Sequence, residues 1–446
     1  DNYLTWTFLS NEDDLWDDWT STKKNIVQNM GVNISYLSDL EKWILTIDTN
    51  KIWTINNPWN QSINSSVWPA GLYNFSVEVS DEKGNTWGSI EDQLDYSTFY
   101  YSFHTIQPVI DVAQSSDTIR LLNGTFNDSI QINKKIHLKG SGSSIIQPNT
   151  IPQPSVFDVS LGSGSSGTVI EDLIFDFNGA NDNRSGTGLS IGQVGIITRD
   201  ITIKNNVFYP GWVTGVGGNA IQTITNSDIS GLSIRYNTII GNDSCMGNGI
   251  VINPFYGPEH IEIYKNKIIG NISEGILIQS SNVHVSSNII NNTISNGQTG
   301  IGFSDSFGGM IFNNVNIISN SVSNFNQGIL IGNPTSSGST LYAELSSNTI
   351  SSNNIGILVQ FDAVLQNSVH FNNIFNNFNF GLNNIGSALV NATYNWWGDP
   401  SGPFHSSNPS GSGDQVSNNV LFSNWLPSFW NNTAWVDDNY DSSTPG

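Results

Sequence analysis

The chain has 446 residues, of which 12% are charged, and 37 acidic against 15 basic side chains give a formal net charge of −22. That charge repels phosphate backbones and anionic lipids, so nucleic-acid binding is disfavoured. The single cysteine, Cys245, excludes an intramolecular disulfide and a cysteine-based zinc site, and we expect a small buried side chain there. No apolar run reaches the roughly 18 residues of a transmembrane helix, and the absence of a signal-peptide pattern predicts a mature or trimmed product.

Residues 1–107 are predicted to form a β-sandwich. Eight of the 14 Trp precede position 90, and the run at 73–79 alternates apolar and polar residues as a half-buried antiparallel strand does. The segment 69–77 (PAGLYNFSV) resembles the penultimate strand of immunoglobulin-like modules of extracellular proteins, which implies that topology. The acidic, aromatic strip 12–19 (EDDLWDDW) is predicted to be a solvated turn or short helix, with a cation-binding or partner-binding strip as the alternative.

Residues 108–402 are predicted to form a parallel β-helix, because this part of the chain repeats itself. An apolar residue, two variable residues, an Asn, a variable residue and another apolar residue recur with spacings that average about 27, typical of one solenoid coil. In step with this motif, Gly followed by alternating aliphatic residues recurs, as at 275–278. The recurring Asn residues are Asn206, Asn237, Asn266, Asn288, Asn320, Asn348, Asn372 and Asn395.

The recurring Asn is predicted to be structural. Asn tolerates a left-handed bend between two sheets, and its amide can donate to and accept from an equivalent Asn in the next coil. Longer coils carry insertions such as 253–258 and 333–338, which we expect to project from one flank, where solenoids commonly carry recognition. On an exposed flank, Phe255, Tyr256 or Trp212 could stack on sugar rings.

Three segments resemble a known class of proteins. Residues 118–126 (TIRLLNGTF) and 130–140 (IQINKKIHLKG) resemble the first coils of right-handed parallel β-helix surface proteins of bacteria and archaea, whose repeats also occur in CASH and NosD-like domains. Residues 394–403 (YNWWGDPSGP) resemble the closing phrase of such helices in archaeal cell-surface proteins. The resemblance implies an all-β, exported surface protein with a right-handed helix of roughly ten coils.

The sequence shows no set of residues that could form a known catalytic site of a β-helix enzyme, and we therefore expect a protein that is not an enzyme. A uronate lyase needs Lys or Arg against the substrate carboxylate, yet the 179 residues after Lys267 contain neither. A glycoside hydrolase needs two carboxylates about 5 to 9.5 Å apart, whereas the acidic residues of the later coils are single. If a cleft exists, the region 171–235 with Arg199 and Arg235 is where a lyase-like site would lie.

Metal binding is weakly indicated. The six His residues lie at unequal offsets from the recurring Asn, which does not favour a metal column. The best acidic cluster contains Asp172, Asp176 and Asp182, whose oxygen atoms at short spacing could hold calcium. Solvated turn chemistry is the alternative for this cluster, and no other cofactor is expected.

Twelve sequons are candidate glycosylation sites, although random pairing of so many Asn with Ser and Thr accounts for about that number. We expect occupancy only because the resemblance implies a surface protein. The sequon residues are Asn33, Asn60, Asn64, Asn74, Asn123, Asn127, Asn183, Asn242, Asn271, Asn291, Asn391 and Asn431.

Residues 403–446 are predicted to be an irregular, Trp-rich cap. Trp425, Trp430 and Trp435 recur every five residues, and an open β-helix end must be covered or it recruits another chain. These side chains either cap the last coil of their own chain or dock onto a neighbouring subunit.

The first functional hypothesis is a structural cell-surface protein, a self-assembling subunit of an S-layer, sheath or extracellular fibre that associates head-to-tail with copies of itself. The second is an adhesin or carbohydrate-binding protein, with glycans as partners. The third is a polysaccharide lyase or hydrolase. All three place the chain outside the cell, with no nucleic-acid partner and no transmembrane segment.

Overall fold

A computed structural model shows an all-β protein with 2% helix. In the first 105 residues it describes only the backbone of five strands. Beyond them it describes residues 106–431 except 148–156, 178–186, 211, 214–215, 225–226, 242–246, 254–258, 281–284, 306–310, 333–339, 361–362 and 367–368. Within that part of the chain no helix is long and apolar enough to cross a bilayer. The acidic strip 12–19 and Cys245 lie outside the described residues.

The chain divides into two compact units, Asp1–Val112 and Ala113–Gly446. In the first unit, an antiparallel sheet has the order β2-β1-β3-β4, with β5 also paired to β3. The elements of this unit are β1 (Leu40–Ile47), β2 (Lys51–Ile55), β3 (Gly71–Asp81), β4 (Thr86–Trp87), β5 (Phe99–Phe103) and helix α1 (Gln107–Val112). The immunoglobulin-like topology stays a prediction, because a second sheet is not among the described elements.

The second unit is a parallel β-solenoid of the right-handed type, as expected. Its first strands are β6 (Thr118–Arg120), β7 (Gly124–Asn127), β8 (Ile130–Ile132), β9 (His137–Gln147), β10 (Phe157–Leu161), β11 (Val169–Asp176), β12 (Thr187–Ile191), β13 (Thr202–Lys204), β14 (Val207–Tyr209), β15 (Trp212–Val213), β16 (Val216–Gly217), β17 (Asn219–Thr223), β18 (Leu232–Arg235), β19 (Thr238–Ile240) and β20 (Asn248–Ile252). The later strands are β21 (Glu259–Tyr264), β22 (Lys267–Ser280), β23 (Val285–Ile290), β24 (Thr293–Asp305), β25 (Ile311–Ile318), β26 (Ser321–Ile331), β27 (Thr340–Ser346), β28 (Thr349–Ser351), β29 (Ile355–Val359), β30 (Val364–Gln366), β31 (Val369–His370), β32 (Asn373–Phe375), β33 (Phe380–Asn384), β34 (Val390–Asn391) and β35 (Val420–Leu421).

Three parallel sheets line the solenoid, and each coil contributes one strand to each. Sheet A contains β6, β13, β18, β21, β23, β25, β27 and β31 with the first parts of β9 and β11. Sheet B follows the turn after sheet A and contains β7, β14, β19, β28 and β32 with the last parts of β9 and β11 and the first parts of β22, β24 and β26. Sheet C contains β8, β10, β12, β17, β20, β29 and β33 with the last parts of β22, β24 and β26.

The core is a stack of aliphatic side chains in register, because alternate residues of each short strand point inward. One such column runs the length of sheet A and is buried throughout. Burial of each side chain contributes roughly 2 kcal/mol before the entropic cost of ordering it. Its members are Ile119, Leu138, Ile170, Ile203, Ile234, Ile263, Ile289, Ile317, Leu345 and Val369.

A buried Asn ladder occupies the turn between sheets A and B. The Oδ1 atom of Asn266 accepts two hydrogen bonds from Asn237, one from its backbone N–H and one from its side-chain Nδ2, each at 3.0 Å. The same Nδ2 donates to the carbonyl oxygen of Ile203 at 2.9 Å, so the buried amide is satisfied. This pattern repeats along Asn206, Asn237, Asn266, Asn292, Asn320, Asn348, Asn372 and Asn395.

Asn288, which the repeat assigned to the ladder, does not belong to it, and Asn292 takes its place. Ile289 is the residue in register with Ile263, so the ladder Asn of this coil lies three positions later. Asn288 lies on the outward, half-buried face of sheet A, where its Oδ1 accepts a hydrogen bond from Asn316 at 2.8 Å. Both assignments satisfy the sequence motif, which is why the spacing did not separate them.

The left-handed bend expected at the ladder Asn falls instead on the residue before it. That residue has φ between 52° and 59° in eight coils. Only the inward Asn is fixed by the ladder, so the bent position accepts large side chains that point outward. The bent residues are Asn205, Tyr236, Lys265, Asn291, Ser319, Ser347, Phe371 and Tyr394.

The segment after residue 402 packs on the last coils of its own chain. β34 pairs in parallel with β35, so solenoid pairing continues past the predicted domain boundary at 402. The ring of Trp430 stacks on Phe371 at 4.7 Å, and its backbone N–H donates to Asn373 at 2.6 Å. Trp425 donates from Nε1 to the carbonyl oxygen of Pro400 at 3.0 Å, whereas Trp435 lies outside the described residues.

Candidate functional site

The outward face of sheet A carries a row of charged and aromatic side chains, one from each of six successive coils. Because residues in register on parallel strands stack directly above one another, these side chains share one line along the solenoid. Each of the last three members lies two residues before a ladder Asn. The row consists of Arg120, Lys139, Glu171, Lys204, Arg235 and Tyr264.

Glu171 is the centre of the first half of this row. Its carboxylate, in a side chain only 5% exposed, contacts Lys139 Nζ and His137 Nε2 at 2.8 Å and Lys204 Nζ at 2.5 Å. Burial alone would raise the pKa of Glu171, but the hydrogen bonds from Lys139, Lys204 and His137 outweigh it and lower the pKa to about 2. Glu171 is therefore an anion that orders the cations around it and cannot act as a proton donor near neutral pH.

The row ends in Arg235 and Tyr264. The residue that follows each of them in sequence, Tyr236 and Lys265, lies beside the row. The rings of Tyr236 and Tyr264 meet edge to face with centroids 5.6 Å apart. The Nζ atom of Lys265 lies 5.1 Å from the centroid of Tyr264 and 5.8 Å from that of Tyr236. Hydrogen bonding to Tyr264 raises the pKa of Lys265, so this amine stays protonated.

This face has a charge opposite to that of the chain. Five basic side chains lie on it or at its edge, against three acidic ones, whereas the chain as a whole carries −22. We call this surface the sheet A face and define it by the row above together with His137, Asp172, Asn205, Tyr236, Glu262 and Lys265. Glu262 accepts a hydrogen bond from Ser233 at 2.8 Å.

Of the three predicted calcium ligands, the structure describes Asp172 and Asp176. Asp172 lies in the turn after sheet A, 3.3 Å from Lys139 Nζ, and Asp176 accepts a hydrogen bond from Gln147 at the end of β11. Asp182 lies outside the described residues. Among the residues that are described, no three His, Cys, Asp or Glu side chains come close enough to hold a metal ion.

The candidate glycosylation residues are spread over several surfaces. Asn123, Asn127, Asn291 and Asn431 are exposed, whereas Asn271 and Asn391 are half-buried. Asn74 lies in strand β3, and the positions of Asn33, Asn60, Asn64, Asn183 and Asn242 are not described. Occupancy of all twelve stays a prediction.

The side chains proposed to stack on sugars lie elsewhere. Phe255 and Tyr256 fall outside the described residues, and only the backbone of Trp212 is described, in the hairpin of β15 and β16. The structure points instead to Tyr236, which is 47% exposed. The sequence signal for the sheet A face was available, because Lys204, Arg235 and Tyr264 share one offset from the ladder.

The acidic residues of the later coils form no pair within the described part of sheets A and C. Glu344 accepts a hydrogen bond from Ser346 at 2.9 Å on the outward side of sheet A. Glu274 is half-buried at the start of the sheet C part of β22, where burial raises its pKa. Arg199, singled out from the sequence, forms an ion pair with Asp228 away from the row.

The sequence matches no protein-family model, and no curated protein matches it. Among solved structures, the chain is similar to the A-module of a mannuronan C-5 epimerase of Azotobacter vinelandii, with 16% identity and a TM-score of 0.42 over 70% of this chain and 90% of that one. It is also similar to the family 28 exopolygalacturonase of Yersinia enterocolitica, with 9% identity and a TM-score of 0.34 over 87% of this chain and 91% of that one.

These comparisons correct two predictions. Both solved structures are polysaccharide-processing enzymes, which contradicts the expected structural subunit of an S-layer, sheath or fibre and the expectation that the chain is not an enzyme. They also give no support to glycosylation, calcium binding or an archaeal source. Because both TM-scores are below 0.5, the likeness assigns no activity to this chain, and the chemistry of its own residues has to indicate one.

Proposed function

We propose that this chain is a polysaccharide-active enzyme that takes an acidic polysaccharide along the sheet A face. The observation that carries the proposal is the line of cations on one face of a chain whose net charge is −22. A net negative chain gains nothing in solubility from clustering its few cations. A polymer with a carboxylate on each sugar is a ligand that such a line can neutralise.

The repeat of the solenoid suits an extended polymer. Successive coils lie about 4.8 Å apart, so one substrate chain parallel to the solenoid axis can meet a side chain from each coil. Lys139 and Lys204 present amines on either side of Glu171, and Arg235 presents a guanidinium one coil further. Acidic polysaccharides of this kind are extracellular, so the proposal places the chain outside the cell.

The ionisable side chains of the sheet A face indicate the class of reaction. Hydrolysis by two carboxylates needs one of them protonated, but Glu171 is held ionised by three partners, its pKa lowered to about 2. Cations beside a sugar carboxylate instead stabilise the charge that develops when the adjacent C–H proton is removed. We therefore propose that a neutral base of the face, His137 through Nδ1, takes the proton from C5, the carbon that bears the carboxylate. In elimination the C4–O bond then breaks, its electron pair leaves on the oxygen and a C4=C5 double bond forms, whereas in epimerisation a proton returns to C5 from the opposite side.

The proposal is tested by incubating the purified chain with polygalacturonate, polymannuronate and their carboxyl-reduced, neutral counterparts. Proton NMR detects both an unsaturated product and a changed sugar configuration, and a reducing-end assay detects cleavage. We expect a change in at least one acidic polymer and none in its neutral counterpart.

The combined variant Lys204→Gln, Arg235→Gln, Lys265→Gln is expected to lose at least about tenfold in rate, because each removed cation deprives the developing charge of a partner. Lys267→Gln is the matched control, since Lys267 is exposed on sheet B and outside the sheet A face. An unchanged polymer in every reaction, or equal loss in both variants, would count against the proposed function.

A further inference from the structure

Arg235, Tyr236, Tyr264 and Lys265 form a two-by-two block on two neighbouring coils, which we call the Arg–Tyr block. Arg235 is in register with Tyr264, and the backbone N–H of Tyr236 donates to the carbonyl oxygen of Tyr264 at 3.0 Å. Tyr236 and Lys265 are the left-handed residues of their coils, with φ of 57° and 52°. The two cations therefore occupy one diagonal of the block and the two tyrosines the other.

The cations of this block are unpaired, in contrast to those beside them. Within the described part of the chain, Arg235 and Lys265 make no ion pair, whereas Lys139 and Lys204 both bind Glu171. The Nε atom of Arg235 is buried and has no hydrogen-bond partner. An arriving carboxylate cannot reach this covered atom and would pair with the terminal Nη groups of the same guanidinium.

The tyrosines give the block an apolar surface next to these cations. Tyr236 is 47% exposed, and its ring is held edge to face against Tyr264 by the 5.6 Å contact. A ring fixed in this way loses little rotamer freedom on binding. The C–H face of a sugar is a ligand surface that stacks on such a ring.

We infer that the Arg–Tyr block is the subsite that holds one hexuronate unit of the polymer. The guanidinium of Arg235 receives the sugar carboxylate through paired hydrogen bonds, and the ring of Tyr236 stacks on the sugar. Lys265 adds a positive charge at the opposite corner. Arg pairs with a carboxylate through two parallel hydrogen bonds. The carboxylate of a hexuronate is bonded directly to a ring carbon, whereas a sulfate ester is held further from the ring by a bridging oxygen. This subsite rests on the proposed function and adds the sugar unit that is bound and the residues that bind it.

The test is isothermal titration calorimetry of the full chain with hexagalacturonate, hexamannuronate, their carboxyl-reduced counterparts and a sulfated neutral hexasaccharide. We expect binding of at least one hexauronate, and at least tenfold weaker binding of its reduced form and of the sulfated sugar. Arg235→Gln is expected to weaken binding at least tenfold and Tyr236→Ser about fivefold. Arg235→Lys, which keeps the charge but loses the fork, should lie between wild type and Arg235→Gln.

Lys267→Gln, on sheet B, is the matched control and should change the affinity less than twofold. Thermal melting verifies that every variant folds, which we expect because the substituted side chains point outward. If Arg235→Gln binds a hexauronate as tightly as Lys267→Gln does, the subsite is wrong although the proposed function stands. If the sulfated sugar binds as tightly as the hexauronate, the claim that the subsite selects a sugar carboxylate is wrong. If wild type binds no hexauronate, both the subsite and the proposed function fail.

Discussion

At Asp414 the solenoid holds a carboxyl group where neighbouring coils hold amides. A second, shorter ladder runs from Asn353 to Asn377, whose backbone N–H and Nδ2 donate to Asp414 Oδ2 at 2.9 and 2.7 Å. Burial raises the pKa of Asp414 to about 6, and the hydrogen bonds from Asn377 only partly oppose this shift. The chain thus ends its second ladder with a group that titrates in a mildly acidic range.

We predict that Asp414→Asn stabilises the chain above pH 6 and not below pH 4. Because the folded-state pKa is raised from 3.8 to about 6, the stability linked to protonation is complete below 3.8 and is lost as the pH rises to about 6. An Asn side chain can accept the same hydrogen bonds without this penalty, so the gain at pH 8 should be about 1–3 kcal/mol. Thermal melting of both proteins at pH 4 and pH 8 measures it, and an equal difference at the two values would contradict the titration.

The Asn ladder is the element that fixes each turn between sheets A and B. Asn292 accepts from the backbone N–H and from Nδ2 of Asn266 at 2.9 and 3.0 Å, and it donates to Ile263. Removing its side chain leaves two buried donors of the neighbouring coil without an acceptor. Each ladder rung therefore supports the coil before it as well as its own.

We predict that Asn292→Ala lowers the free energy of unfolding by about 2–4 kcal/mol, because unsatisfied buried donors cost about 1–3 kcal/mol each. Asn288→Ala, in the same coil, should cost less than about 1 kcal/mol, since Asn288 is half-buried and makes one side-chain contact. Denaturant unfolding of the two variants compares them. If both variants lose the same free energy of unfolding, Asn292 is not the ladder residue of this coil.

The sequence predicted the elements of the solenoid better than their details. The period-two aliphatic runs and the recurring Asn led to an all-β parallel β-helix, which is confirmed, because these patterns directly encode burial and turns. Asn288 was wrong because two overlapping copies of the motif satisfy the same spacing. The sequence singled out the region 171–235 with Arg235 but not the row itself, because Glu171, Lys204 and Arg235 lie about 30 residues apart and become neighbours only through strand register.

At the scale of the whole molecule, the solenoid is a one-dimensional stack whose coils are stabilised mainly by their neighbours. The last coils are covered by the chain's own C-terminal segment, where Trp430 stacks on Phe371 and exchanges two hydrogen bonds with Asn373. The Nε1 atom of Trp430 also donates to Ser347 at 3.4 Å. Trp430 thus packs on the flank of two successive coils, whereas the last coil is covered by residues such as Val416, which pairs with Leu382, and Leu426, whose N–H donates to the carbonyl oxygen of Asn395.

We predict that Trp430→Ala loosens the last coils and leaves the middle of the solenoid intact. Loss of the stacked ring should cost about 2 kcal/mol locally, because the contact is half-buried. Hydrogen exchange should then accelerate at least tenfold for amides of 345–375 and stay unchanged for those of 201–240. Uniform acceleration along the chain would contradict the nearest-neighbour description.

We propose that an acidic polysaccharide binds to the basic sheet A face of this acidic chain. The most direct measurement is a crystal structure of the chain with hexagalacturonate or hexamannuronate, whichever binds more tightly in calorimetry. We predict a sugar chain that runs parallel to the solenoid axis over Lys139, Lys204 and Arg235, with a carboxylate on Arg235 and a sugar ring on Tyr236. A hexauronate bound on sheet B or sheet C, with the sheet A face empty, would contradict this binding mode.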